Sequence, residues 1–315
     1  MADRMRAKLT GVAALVAAVA LWSSFALTVR GIGSSSLTSI DVAFLRFATP
    51  VVILAPWLPR TVRALRGERI GVLLMLGIGG LPHFLLSALG GRLTSAALIG
   101  LLIPGTVPLF VAVILYLGWR ERISRRRLIA LAAITTGIAT TAIQTTSTAT
   151  TAGIGILLTA GCAWGIYTIG LRRTGLGLTG VVLTICAPAT ITAALLAASA
   201  VAPSHLMSGT ADISDVLLFT CLQGIGTGLL STLCYAHAVR ALGSNLAATA
   251  GAISPVLTAL IAVPLFDEPI TPGVSAALTL IVTGVTIFNI APRPRENGPK
   301  RPVPGRRALD GPPPA

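Results

Sequence analysis

Residues 105–124 read GTVPLFVAVILYLGWRERIS, and residues 252–271 read AISPVLTALIAVPLFDEPIT. A shift of 147 positions aligns the two stretches without a gap and pairs Pro108 with Pro255, Glu121 with Glu268, and Ser124 with Thr271. The same shift aligns segment 77–79 with 224–226, and a shift of 142 aligns WSSF at 22–25 with WGIY at 164–167. A fixed internal period indicates duplication, and the repeated unit is about half of the chain.

The composition indicates that lipid surrounds most of the chain. Of its 315 residues, 54% are hydrophobic and only 11% are charged, with a mean hydropathy of +0.85. A soluble domain carries about 25% charged residues, so this chain cannot cover its surface with charge. The four cysteines fall inside apolar runs at irregular spacing, which is typical of small core residues and not of a metal site.

Ten apolar segments approach the length of about 20 residues that a membrane-spanning helix needs. We predict an all-α integral membrane fold with ten transmembrane helices at 9–29, 38–58, 70–90, 94–117, 128–145, 153–171, 179–202, 213–238, 244–266 and 272–291. Residues 1–8 then form a cytoplasmic N-terminus, and the basic, proline-rich residues 292–315 form a tail that we expect to be disordered.

The placement of the basic residues predicts the orientation. With the N-terminus inside, 21 of the 24 basic residues fall in inside segments, whereas only Arg30 and Arg92 fall outside. This bias predicts a multi-pass protein of the cell (inner) membrane with both termini cytoplasmic. The net charge of +14 therefore acts as a topology signal, and no nucleic-acid partner is expected.

Five spans per unit is an odd number, so the second unit enters the membrane in the opposite sense. We therefore predict two inverted-topology five-helix repeats, at 9–145 and 153–291. Such repeats place a substrate site near the bilayer midplane, where they meet. Two fused repeats supply both halves of a pathway, so a monomer is plausible.

These features together resemble the drug/metabolite transporter superfamily, in its ten-span EamA-domain branch. The resemblance covers about 9–291, and it rests on an ordered set of motifs that occurs twice. The motifs are the paired aromatics, Phe44-Leu45-Arg46-Phe47, Pro108 and Pro255, the turns at Glu121 and Glu268, and Gly137 and Gly284.

The resemblance implies efflux of small metabolites or drugs through a central cavity lined mainly by helices 1, 3, 4, 6, 8 and 9. Small four-span relatives carry a membrane-buried glutamate in helix 1 for proton coupling. The first span here contains no acidic residue, so that mechanism does not carry over.

Glycine and proline interrupt the third and eighth spans at matching places, at Gly77–Phe84 and Gln223–Leu230. Such paired interruptions point to a binding site in a transporter, with Gly77, Pro82 and Gly224 as hinge candidates. Close helix packing through Gly224 and Gly228 is the alternative interpretation. The sequence does not decide between the two, and both can be true of one stretch.

His83 lies halfway along the third span, and an ionisable residue there is a candidate for function. It could bind substrate or carry a coupling proton, because its reference pKa is about 6.5. The alternative is a neutral histidine bonded to a backbone carbonyl.

Arg46 lies within the second span, where its burial costs about 2.5–3.5 kcal/mol. Asp41 is five residues away and faces another side of the helix, so the partner is expected to be a carbonyl or another helix. A structural clasp is favoured over anion binding.

The repeat-related aromatics Trp22, Phe25, Trp164 and Tyr167 are candidates, together with His83 and Gln223, for the wall of a substrate cavity. Plain core packing is the alternative for the aromatics.

Glu121 and Glu268 precede Ser124 and Thr271, which we predict to be the N-caps of the fifth and tenth spans. Capping of the tight turns is therefore preferred over a catalytic role.

The segment Gly175–Gly180 fits G-x-G-x-x-G, but no strand precedes it, so we reject a dinucleotide site. No phosphate-binding loop and no spacing of histidines typical of a metal site is present, and no cofactor, metal or catalytic residue is predicted.

The sequence thus predicts a transporter, not an enzyme, that moves a small organic solute such as a metabolite, an amino acid or a drug by alternating access. Its partners are a small-molecule substrate, the lipid bilayer and a coupling proton. The rival interpretations are a polytopic membrane enzyme and a non-transporting receptor or scaffold.

Overall fold

The computed structural model describes residues 2–144, 147–199 and 201–291, which form helices without a β-strand. The tail predicted at 292–315 lies outside the described residues. Helices satisfy their backbone hydrogen bonds internally, which is what a hydrocarbon environment demands. The prediction of an all-helical membrane protein is confirmed at this level.

The first half of the chain forms seven α-helices, with short 3-10 turns at Ile32–Ser34 and Ala55–Trp57. They are α1 (Ala2–Gly31), α2 (Ser39–Ile53), α3 (Leu58–Leu65), α4 (Ile70–Ile78), α5 (Leu81–Leu93), α6 (Ala96–Trp119) and α7 (Arg125–Ile143).

The second half forms eight α-helices and one π-helix, Thr220–Leu230. The α-helices are α8 (Thr148–Arg173), α9 (Leu178–Ala198), α10 (His205–Ser208), α11 (Ile213–Phe219), α12 (Ser231–Leu242), α13 (Ser244–Gly251), α14 (Ser254–Phe266) and α15 (Pro272–Ile290).

Eight helical segments among the described residues are long and apolar enough to cross a membrane; α4 with α5 and α11 with α12 count as one each. A ninth candidate is the pair Ser39–Ile53 and Ala55–Leu65, which is bent by 65°. The span predicted at 244–266 instead consists of two short helices, α13 and α14. The described part of the chain thus contains eight or nine candidate spans, which is consistent with a membrane protein, and the predicted number of ten is not reached there.

Proline explains both deviations from straight spans. Pro50 lies inside α2, and Pro56 and Pro59 stand at the starts of the two helical segments that follow. A proline lacks the amide hydrogen and disfavours helix at the residue before it, so the chain bends there. Similarly, α13 ends at Gly251, and the ring of Pro255 would clash with a helical carbonyl at that position.

Large apolar side chains face outward along the helices. Ile143, Leu117 and Leu195 are 82%, 70% and 63% exposed. Large exposed apolar side chains on many helices indicate contact with lipid or protein, which agrees with the membrane class.

Helices α7 and α15 pack closely through two glycines that are repeat partners. A Cβ atom added at Gly137 would lie 2.6 Å from Cγ1 of Ile281, and one at Gly284 would lie 2.7 Å from Cγ1 of Ile134. The glycines therefore permit the close approach. Position 137 meets 281 while 134 meets 284, so the two helices run antiparallel at this contact.

Candidate substrate site

Arg46 of α2 is the charged centre of a polar and aromatic cluster. Its Nη1 donates hydrogen bonds to Oε1 of Gln223 and to Oγ1 of Thr227, both on the π-helix. The guanidinium carbon lies 5.0 Å from the ring centroid of Phe25 and 5.8 Å from that of Phe84. The partner of Arg46 is thus on another helix, and aromatic faces surround the cation at cation–π distance.

Gln223 holds that arginine in place. Its side chain is fully buried, and its Nε2 donates to the hydroxyl of Thr28 and, at 3.4 Å, to the carbonyl of Phe25. Its Oε1 also accepts a hydrogen bond of 3.1 Å from the hydroxyl of Thr227. A buried amide needs such partners, and here they connect α1, α2 and the π-helix.

Gln223 and Thr227 are four residues apart and lie on the side of the π-helix that faces α2, where glycines permit close packing. A Cβ atom at Gly224 would lie 2.5 Å from Oγ1 of Thr49, and one at Gly228 would lie 3.2 Å from the carbonyl oxygen of Arg46. Both glycines therefore allow the π-helix to pack directly on α2. Wide helical turns of this type are frequent at functional sites.

His83 lies at the start of α5, directly after the break that separates α4 from α5. Its Nδ1 lies 3.1 Å from the carbonyl oxygen of Ala160, which can only accept, so Nδ1 carries the hydrogen in this contact. The imidazole stacks on Phe25 at 6.0 Å between centroids and contacts Trp164 at 5.5 Å. The hydrogen bond to a backbone carbonyl, which was the alternative predicted for His83 from the sequence, is therefore present. The other ring nitrogen, Nε2, remains available to a ligand.

The structure brings together four of the six predicted wall residues, which are Phe25, His83, Trp164 and Gln223. Trp22 instead lies against Tyr235, with ring centroids 5.0 Å apart. Tyr167 packs against the α4–α5 break, where a Cβ atom at Gly79 would lie 2.5 Å from its ring. Trp22 and Tyr167 are therefore outside the cluster around Arg46.

The proposed hinge residues occupy different local structures. Gly77 lies in the last turn of α4 with no atom within 4 Å of an added Cβ, and Pro82 lies in the first turn of α5. Pro108 is inside the continuous helix α6, whereas its repeat partner Pro255 begins α14. The same proline is thus accommodated within a helix in one half and starts a helix in the other.

Thr28, Thr227 and Phe84 complete the cluster, and the sequence reasoning did not select them. Thr227 is four residues after Gln223, and Thr28 is three residues after Phe25, so each shares a helix face with a predicted residue. This spacing is the sequence feature that could have identified Thr28 and Thr227 as members of the cluster.

Glu268 forms an ion pair at one end of the bundle. Its Oε1 accepts from Nε of Arg30 at 2.7 Å, and its Oε2 accepts from the backbone N–H of Ala96 at 2.7 Å. The carboxylate thus caps the N-terminus of α6, where an anion is favoured. We predicted that Glu268 caps the turn before α15. Its carboxylate instead caps α6, because the turn brings Glu268 next to that helix.

The predicted N-caps are confirmed. The hydroxyl of Ser124 accepts from the backbone N–H of Arg127 at 3.5 Å, and the hydroxyl of Thr271 accepts from that of Val274 at 3.3 Å. Glu121 is exposed, and its side chain has no hydrogen bond or ion pair among the described residues.

An apolar cavity of about 260 Å³ lies on the side of the bundle, between α2, α9 and α12. Its lining includes Ile53, Trp57 and Leu233 and no member of the Arg46 cluster. Among the described residues, no group of His, Cys, Asp or Glu side chains could hold a metal ion.

The fold and the cluster define a multi-pass membrane protein in which interrupted helices surround a cation. Residues 151–290 match the EamA-like transporter family, so the second half of the chain carries an EamA-like domain. The matched stretch is less than half of the chain, and together with the apolar helices it supports a multi-pass membrane protein that carries a transporter-family domain.

A solved structure described as "Crystal structure of protein" superposes on this fold with a TM-score of 0.56. It is 21% identical, and the match covers 90% of this chain and 97% of that chain. At this identity the likeness concerns the fold alone. No curated protein matches the chain significantly.

Proposed function

We propose that the chain exports a small organic solute across the cell membrane by alternating access, with two inverted five-helix repeats and both termini cytoplasmic. The one-sided distribution of basic residues supports this orientation. The solute would bind beside Arg46, where α1, α2, α5, α8 and the π-helix meet.

Contacts between repeat-related residues support the inverted arrangement. The antiparallel contact of α7 with α15 is reciprocal, as expected of equivalent elements related by a two-fold axis. Glu68 and its repeat partner Asp215 also make similar loop contacts: Asp215 accepts from the backbone N–H of Ser36 at 2.7 Å, and Glu68 accepts from that of Gly175 at 2.7 Å. Glu68 and Asp215 are 147 positions apart, the shift that aligns the two units.

A difference between equivalent turns carries the proposal of alternating access. Glu268 binds Arg30, while its repeat partner Glu121 is exposed. The shift of 142 relates Arg30 to Arg172, so a Glu121–Arg172 pair is the equivalent contact. If the two repeats exchange conformations, the outer pair opens and the inner pair forms, which moves access from the inside to the outside.

Cysteine labelling tests the two states. In a background without the four native cysteines, Phe25→Cys should react with a membrane-impermeant maleimide applied from the inside. Glu268→Gln should raise labelling from the outside several-fold, because it removes the charge that holds Arg30. Glu121→Gln is the matched control and should not raise it. Equal labelling from both sides in all variants would contradict alternating access.

Metabolite levels test transport itself. Cells that overexpress the chain should lose at least one small solute to the medium relative to cells without it, and Arg46→Gln should abolish the difference. Unchanged levels would instead favour a receptor or scaffold.

Coupling to protons through His83 is a further part of this proposal. The Nδ1 of His83 is engaged by the carbonyl of Ala160, so Nε2 is the nitrogen that can accept a proton. The imidazole of His83 and the guanidinium of Arg46 both contact the ring of Phe25. Transport in inverted vesicles should increase with an imposed pH gradient, and His83→Gln should remove that dependence. Transport that is indifferent to the gradient in the native chain would exclude the coupling.

A further inference from the structure

We propose that Arg46 recognises the carboxylate of an apolar monocarboxylic acid, so that the transported solute is an organic anion. This inference rests on the proposed function and names the substrate class of the same site.

The hydrogen-bond inventory of Arg46 is the first argument. A guanidinium has five N–H donors, and the two of Nη1 are satisfied by Gln223 and Thr227. Nε and Nη2 have no hydrogen-bond partner among the described residues, and neither is an enclosed atom, because each keeps accessible surface. The edge of the guanidinium that binds carboxylates in a bidentate manner is therefore open.

The missing counter-charge is the second argument. Arg46 forms no ion pair with an acidic residue of the described chain, although it lies within a membrane-spanning region. Charged residues in such regions are normally paired. Gln223 and Thr227 supply neutral oxygens only, so they orient the cation without neutralising it. An anionic ligand would supply the charge.

The surroundings favour a singly charged acid with an apolar body. A phosphate monoester carries about −1.5 to −2 charge at neutral pH and would require a second cation, whereas His83 is the only other basic group within the cluster. The ring of Phe25 lies 5.0 Å from the guanidinium carbon of Arg46, and Phe25 and Trp164 flank His83 at 6.0 and 5.5 Å, so apolar ring surface lies near the cation. A carboxylate at the arginine with its apolar part against these rings matches this arrangement.

Binding to the purified full chain tests the inference with matched pairs of ligands. Radiolabelled benzoate, 3-phenylpropanoate and indole-3-acetate would each be compared with the corresponding uncharged amide, which has a similar shape. At least one acid should bind about tenfold or more tightly than its amide. Phenyl phosphate in the same assay distinguishes a phosphate site from a carboxylate site.

Variants of Arg46 complete the test. Arg46→Gln should weaken the acid about tenfold or more and leave the amide unchanged, and Arg46→Lys should lose part of the affinity because it lacks the planar fork. Arg92→Gln, which removes an exposed charge at the end of α5, is the matched control and should bind as the native chain does. A thermal unfolding curve checks that each variant folds.

The inference is overturned if no acid binds, if acids and amides bind alike, if phenyl phosphate binds tightest, or if a folded Arg46→Gln retains the preference. If the chain binds an acid but its overexpression does not release any solute to the medium, the proposed export is refuted, whereas the inferred ligand class is retained.

Discussion

The turns at 120–124 and 267–271 have the same local structure but different tertiary contacts. Each begins with a left-handed residue, Arg120 at φ 56° or Asp267 at φ 53°, and each ends at a hydroxyl N-cap. Yet Glu268 binds Arg30 and the N-terminus of α6, whereas Glu121 is exposed.

The helices next to the two turns are also held differently. At the first turn, the guanidinium of Arg173 lies 3.7 Å from the ring of Trp119. At the second turn, the equivalent residues are Gly31 and Phe266, which meet without a charge. The two turns thus adopt the same backbone with few identical residues, while the neighbouring helices decide which contact forms. Under the proposed alternating access, the two turns would exchange these contacts.

Reversing the charge at position 268 should give the largest effect. Glu268→Lys places like charges together and leaves the N–H of Ala96 without its acceptor, so we expect a loss of about 2–3 kcal/mol in unfolding free energy. Unfolding in mixed detergent micelles measures it.

Glu121→Lys is the matched control and should change stability by less than about 0.5 kcal/mol. Equal losses for both variants would show that the two turns do not differ as the structure indicates.

Alanine at the paired glycines should have a smaller effect, and it should be similar in the two halves. Gly284→Ala would bring Cβ to 2.7 Å from the carbonyl oxygen of Ala130, and Gly137→Ala would force Ile281 aside. We expect a loss of about 1–3 kcal/mol for each in the same unfolding assay, with Gly284 at the upper end because a backbone atom cannot move away.

Gly155→Ala is the control for helix propensity, since nothing lies within 4 Å of its added Cβ. If Gly137→Ala and Gly284→Ala lost no more unfolding free energy than this control, the result would contradict the close contact between α7 and α15.

Removal of the N-caps should have the smallest effect. Ser124→Ala and Thr271→Ala each remove one side-chain acceptor from a helix start, so each should lose about 1 kcal/mol of unfolding free energy. The exchanges Ser124→Thr and Thr271→Ser keep the cap and should preserve stability. A loss confined to one of the alanine variants would argue against equivalent turns.

Much of the fold could be predicted because its signals are local. Apolar length predicted the spans, and hydroxyl residues before helix starts predicted the caps at Ser124 and Thr271. The span at 244–266 was wrong as a single helix, because the effect of Pro255 depends on context: its partner Pro108 is tolerated inside α6.

The candidate site could be predicted only in part. His83 was selected as an ionisable residue within a span and Gln223 as part of the glycine-rich interruption of the eighth span, and the structure places both beside Phe25. Trp22 and Tyr167 share the repeat pattern with Phe25 and Trp164 but contact other helices, since a repeat fixes a position in its own helix and not the neighbour that it meets.

The sequence by itself indicated the internal repeat and the membrane class and predicted the N-caps of the two turns, because each depends on composition or on residues close along the chain. The tertiary structure alone decided that Arg46 meets Gln223, 177 positions away, and that Glu268 binds Arg30 across 238 positions. Such contacts depend on how helices approach one another in space, and no local pattern specifies that approach.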